Sequence, residues 1–220
     1  MKNSFQLFLL DKNEKKGTDE DKELLIRQAA LFYGVPADCL YGEKICRSRL
    51  GKPFFEKLDI HFSISHSESL WACLMGPFNC GLDVQYVKPC NFSKIAGRFF
   101  SEREKQYVER FGLTGFFDIW VRREAFGKYT GEGFFGDMPE FITEEGNLSE
   151  GFEKIRFETP NLDKDVKCAI CIPKKATGAV RKKEKTADSG IYGKNAGKDE
   201  DMYVHTTVNI VRNWSRGENV

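Results

Sequence analysis

GLDVQ (residues 81–85) and FDIWVRREAFGK (residues 117–128) decide how this chain is read. The first alternates, so as a strand it sends Asp83 and Gln85 to one face and Leu82 and Val84 to the other. The second has helical spacing: Trp120, Glu124 and Lys128 fall at i, i+4 and i+8 and share one stripe. A strand face with two oxygen ligands and a helix stripe with a carboxylate and an ammonium predict an α+β protein with a divalent-metal site that handles a phosphate ester.

Mg2+ takes hard oxygen ligands in an octahedral shell, with one or two protein carboxylates, and phosphate oxygens and waters complete it. Asp83 and Glu124 are the candidate carboxylates, with Gln85 as a neutral third ligand or a partner behind the metal. Lys128 and Arg123 are placed to neutralise phosphate charge. Mn2+ suits the same donors. The plainer reading of Glu124 and Lys128 is a surface ion pair at i, i+4.

Outward from these segments, DEDKELLIRQAALFYG (19–34) predicts a helix with an acidic start and Gly34 near its end. LDIHFSIS (58–65) and SLWACLMG (69–76) predict two strands joined around His66, Ser67 and Glu68. CRSRLGKPF (46–54) reads as a loop by its Gly51 and Pro53. SEREKQYVERFG (101–112) and GFFDIWVRREAFGKY (115–129) predict two helices, the first opened by a Ser101–Glu104 capping box. FITEEGNL, FEKIRFET and VKCAICI predict short antiparallel strands with turns at Glu145–Gly146 and Asn161–Asp163.

The 220 residues divide into an N-terminal half (1–79), a C-terminal half with the metal-binding motifs (80–173) and a basic tail (174–220). From Lys174 to Lys198 there are eight Lys and Arg against two Asp and Glu, with few large apolar residues, which predicts a solvated, disordered segment. YVHTTVNIVRNW (203–214) alternates weakly and is a candidate edge strand or a segment that packs on a partner.

With 34 Lys and Arg against 33 Asp and Glu, no global field favours nucleic acid or a membrane. The apolar run in MKNSFQLFLL is too short for a signal or a span and reads as a first strand. Seven cysteines without a secretory signal point to free thiols and a cytoplasmic location. Cys168 and Cys171 face opposite sides of their strand and read as small buried hydrophobes, not a zinc or redox pair.

GKPFF, HFSISHS, GLDVQ, RFFSEREKQY and WVRREAFGKYTGEGF, in that order from Gly51 to Phe134, resemble the motifs of the 4′-phosphopantetheinyl transferase superfamily, in its monomeric surfactin-synthetase-activating (Sfp-type) branch. The resemblance implies two similar α/β halves, with antiparallel sheets and packed helices, and an active site between them. It implies transfer of the phosphopantetheine arm of coenzyme A to a serine of an apo acyl or peptidyl carrier protein, with release of adenosine 3′,5′-bisphosphate. Asp83, Gln85 and Glu124 then stand at the positions that gather Mg2+ and the pyrophosphate. Lys128 stands at a phosphate-contacting position, and Lys52, Ser65 and His66 at positions associated with the coenzyme's phosphates. Glu124 would also take the proton of the attacking serine.

Three features depart from the family pattern. Gln85 replaces a familiar carboxylate, which removes one charge from the site. Arg123 replaces a usual lysine. The region before GKPFF is short, so only Arg27, Arg47 and Arg49 are candidates for the adenine end. These departures make a noncatalytic homologue that binds coenzyme A or a carrier protein the rival reading. An unrelated two-metal phosphohydrolase would need further Asp and His ligands. The basic tail reads as an inert linker, with electrostatic capture of acidic carrier proteins as the alternative.

Overall fold

The computed structural model describes residues 4–11, 18–133, 138–174, 181–183 and 205–209. Ten strands and four helices lie in these segments: β1 (Ser4–Asp11), α1 (Asp19–Tyr33), α2 (Ala37–Leu40), β2 (Ile45–Arg47), β3 (Pro53–Phe55), β4 (His61–Ser67), β5 (Leu70–Gly76), β6 (Gly81–Tyr86), α3 (Phe92–Phe99), α4 (Glu102–Thr130), β7 (Ile155–Glu158), β8 (Val166–Pro173), β9 (Arg181–Lys183) and β10 (His205–Asn209).

The strands form a five-stranded sheet of order β4-β5-β1-β10-β9, a three-stranded sheet of order β6-β8-β7 and the β2-β3 hairpin. Period-two alternation along β1 and β5 puts Phe5, Leu7, Ala72 and Leu74 on one face, where they pack with Leu82 and Val84 of β6 and Ile170 of β8. The opposite face carries Phe8, Trp71 and Met75, which α1 covers with Leu25, Ile26 and Ala29. The outer side of the smaller sheet, with Ala169 and Cys171, lies under α3 and α4. The layers therefore run helix, sheet, sheet, helices, the α+β character expected.

The seam between the two sheets is made by side chains. Ser63, Ser65 and Ser67 alternate along β4, and their hydroxyls accept the backbone N–H groups of Leu82 (3.0 Å), Val84 (3.2 Å) and Tyr86 (3.0 Å). Those N–H groups point away from β8, and three serines at period two satisfy them in place of a further strand.

α4 begins with a capping box in which Ser101 and Glu104 bond each other's backbone N–H. Gly112 interrupts it at φ 59°, ψ −140°, a backbone that L side chains rarely adopt. The two helices read from the sequence are thus one element with a kink. β6 lies directly on the second segment, because a Cβ on Gly81 would come 1.9 Å from the Ala125 carbonyl oxygen.

The structure corrects several expectations. CRSRLGKPF is a hairpin, with only its centre a turn. The turn between β4 and β5 falls at Glu68 and Ser69, with Glu68 at φ 51°. FITEEGNL makes only the isolated bridge between Ile142 and Leu148. The first sheet is not wholly antiparallel, since β1 pairs with β10, and β10 with β9, in parallel. Strands β9 and β10 also fall within the span read as a tail, so Arg181–Lys183 is a strand where disorder was expected, and His205–Asn209 is a strand as expected but an interior one, between β1 and β9. The rest of 175–220 lies outside the described residues. Cys168 and Cys171 are buried free thiols on opposite faces of β8, as expected.

Candidate active site

A cleft of about 490 Å³ opens where β4, β6 and α4 meet. Ser65 and His66 of β4, Asp83 and Gln85 of β6, and Trp120, Glu124 and Lys128 of α4 line it. Lys22, Arg47 and Lys52 line the side formed by α1 and the β2-β3 hairpin. The alternation of GLDVQ and the stripe on α4 are what aim these side chains at one volume.

Asp83 is 2% exposed and is held by three groups. Ser65 Oγ donates to its Oδ1 at 2.7 Å, Lys128 Nζ donates to the same oxygen at 2.8 Å, and Gln85 Nε2 lies 3.4 Å from Oδ2. Lys128 also donates to the Leu82 carbonyl at 2.9 Å, so its ammonium is fixed at two points. Ser67 Oγ donates to Gln85 Oε1 at 3.3 Å.

Glu124 is half-buried beside this group. Burial, and then the negative charge of Asp83, push its carboxyl above the ordinary range, while Lys128 opposes the shift. Two crowded carboxylates with a neighbouring amide are a hard-oxygen donor set of the kind Mg2+ takes. Among the described residues no group of three or more His, Cys, Asp or Glu gathers, so a shell built on these two carboxylates would be completed by phosphate oxygens and waters.

His66 stacks on Trp71, with ring centroids 5.2 Å apart. Burial lowers its pKa, and the ammonium groups of Lys22 and Lys128 lower it further, against the pull of Asp83. Lys52 donates to Asn79 Oδ1 at 2.6 Å and to the Cys80 carbonyl at 3.0 Å, which ties the hairpin to the start of β6. Burial lowers its pKa as well.

Arg123 is a correction. One position along α4 from Glu124, it turns about 100° off the cleft stripe and is 4% exposed in the helical core. Its guanidinium donates to Glu104 Oε2 at 3.2 Å and lies over the rings of Phe100 and Phe141, 5.2 Å and 5.4 Å from their centroids. Glu104 Oε1 also accepts the Phe141 N–H at 2.8 Å, so its role exceeds the capping expected of it. Arg27 is committed to Glu23 and to the carbonyls of Leu40 and Glu43. Of the three arginines considered for the adenine end, only Arg47 lines the cleft. Trp120 both packs on Phe116, at 5.5 Å, and lines the cleft.

Sequence reasoning missed Lys22, whose helix was read for its acidic start, and the bonds of the serine seam. The spacing of Ser63, Ser65 and Ser67 was visible, but their partners lie on another sheet. No described helix is long and apolar enough to cross a membrane.

The family model described as 4′-phosphopantetheinyl transferase superfamily matches residues 79–171, the stretch that carries Asp83, Glu124 and Lys128. The 4′-phosphopantetheinyl transferase of Bacillus subtilis is 31% identical over 163 residues, which cover 68% of this chain and 70% of that protein. The 4′-phosphopantetheinyl transferase gsp of Aneurinibacillus migulanus is 27% identical over 160 residues, 68% of this chain and 65% of the relative, so the match spans about two thirds of each relative's length. With the motifs in order and the site they form in one cleft, the chain belongs to the 4′-phosphopantetheinyl transferase superfamily.

Proposed function

We propose that the chain transfers the 4′-phosphopantetheine arm of coenzyme A to a serine of an apo acyl or peptidyl carrier protein, acting as a cytoplasmic monomer. The serine oxygen bonds to the phosphorus bearing the arm, the bond from that phosphorus to the bridging oxygen breaks, and adenosine 3′,5′-bisphosphate leaves. The convergence of Asp83, Glu124 and Lys128 in one cleft carries this reading.

Asp83 and Glu124 would hold Mg2+ or Mn2+, with Gln85 beside them. Bound there, the ion would offset negative charge on the pyrophosphate and polarise a phosphoryl oxygen. Glu124, with its carboxyl raised by burial and by Asp83, is suited to accept the serine proton. Lys128 neutralises charge that develops on the transferred group. Lys52 and His66 bind the remaining phosphates, Ser65 holds Asp83 in place beside them, and Lys22 and Arg47 add charge at the same wall.

The test is intact-protein mass spectrometry of apo carrier proteins incubated with the protein, coenzyme A and Mg2+, with Glu124→Gln as control. A gain of one phosphopantetheine, absent with the variant, is expected. Coenzyme A binding without any gain on any carrier would favour a noncatalytic homologue.

A further inference from the structure

We infer that Gln85 is not a metal ligand but a hydrogen-bond donor that positions Asp83, and that the protein contributes only Asp83 and Glu124 to the ion. The inference rests on the metal-dependent reading above and concerns how this chain's own residues serve it.

The bonding around the amide decides its orientation. Ser67 Oγ accepts the Tyr86 N–H at 3.0 Å, so its hydroxyl proton is free to point at Gln85 Oε1, 3.3 Å away. The amide nitrogen then faces Asp83 Oδ2 at 3.4 Å. Turning the amide over would set its oxygen against a carboxylate oxygen, two acceptors with no proton between them. A carboxylate at position 85 could not donate to Asp83 at all; the amide can.

The same pattern repeats two residues earlier. Ser65 accepts the Val84 N–H at 3.2 Å and donates to Asp83 Oδ1 at 2.7 Å. Alternate serines of β4 thus fix alternate side chains of β6. Oε1 faces Ser67 and Nε2 faces Asp83, so Gln85 would have to turn its amide to bring the oxygen to an ion held by Asp83. Partners behind a ligand typically change metal affinity by roughly 10- to 100-fold without touching the ion.

The test titrates Mn2+ into the full chain saturated with coenzyme A, against coenzyme A alone, reads the protein-bound ion by electron paramagnetic resonance and counts its waters from line broadening in 17O-enriched water. Gln85→Leu removes the amide and Gln85→Glu introduces a carboxylate. If Gln85 only positions Asp83, Gln85→Leu keeps the wild-type number of waters while weakening Mn2+ by about 10-fold, and Gln85→Glu loses one water and binds more tightly. If Gln85 is a ligand, Gln85→Leu gains one water and Gln85→Glu keeps the wild-type number, which overturns the inference. Failure of the wild-type protein to bind Mn2+ would overturn the metal-dependent reading itself, and this inference with it. Near-ultraviolet circular dichroism of each variant separates these outcomes from misfolding.

Discussion

Ser65 holds Asp83 from across the seam between the sheets: its hydroxyl donates to Oδ1 at 2.7 Å while accepting the Val84 N–H at 3.2 Å. Ser65→Ala leaves that buried N–H without its acceptor and frees one side of the carboxylate. Loss of roughly 1–3 kcal/mol is expected, measurable as a lower urea midpoint, together with slower transfer. Unchanged stability would mean that water replaces the hydroxyl.

Glu124→Gln should abolish transfer, with a fall of about 10²- to 10⁴-fold for loss of a general base, yet stabilise the fold. A carboxyl whose folded pKa is raised binds its proton more tightly folded than unfolded. Its stabilising contribution is therefore present below the ordinary value of 4.5 and is lost as pH rises through the raised folded value. In metal-free buffer at pH 7 the variant should melt above the wild type, and the two curves should converge as pH falls towards 4.5.

His66 stays neutral further down in pH than an ordinary histidine, through burial and the neighbouring Lys22 and Lys128. If it contacts a phosphate of coenzyme A, the bound anion raises its pKa and binding takes up a proton. Calorimetry should then show affinity rising as pH falls towards the histidine range, and His66→Asn should flatten that slope. An unchanged slope would assign it to other groups.

The buried pair of Arg123 and Glu104, 5% and 0% exposed at their side chains, predicts a stability effect without a binding effect. Arg123→Ala strands a carboxylate and should cost about 3–5 kcal/mol, while replacing both residues with apolar ones restores much of it. Coenzyme A affinity of the folded double variant should match the wild type. A large loss of affinity would return Arg123 to the phosphate site.

Gly81→Ala should separate β6 from α4. The added carbon would lie 1.9 Å from the Ala125 carbonyl oxygen, and backbone cannot yield there as a flexible side chain can. A cost of about 3 kcal/mol is expected from such overpacking, with activity falling further because Asp83 moves relative to Glu124.

What the sequence made legible was local. Alternation in GLDVQ and the 120/124/128 stripe follow from periods of 2.0 and 3.6, and both hold. Gly112 marked the break that divides α4. The β2-β3 hairpin was hidden because its strands have three residues each, while Gly51 and Pro53 dominate the pattern. α3 passed unread although Asn91 caps it and Phe92, Ile95, Ala96 and Phe99 repeat at helical spacing, since the pattern lasts only two turns. Arg123 was misplaced because a motif fixes a residue's place in the chain, whereas the angle around the helix fixes which way it points. The serine seam joins positions 19 apart in sequence, beyond any local signal.

The buried cysteines give the molecule a set of internal clocks. Cys73 belongs to the layer under α1, Cys80 and Cys168 to the layer between the sheets, and Cys171 to the layer under α3 and α4. Burial suppresses their thiolates, with Cys80 pushed up to about 12, while Cys39 and Cys90 are open to solvent. An alkylating reagent should therefore label Cys39 and Cys90 at once in the native protein and reach Cys73, Cys80, Cys168 and Cys171 only as each layer opens. Peptide mapping of labelled samples along a denaturant series would report which layer lets go first, with no probe added to the chain.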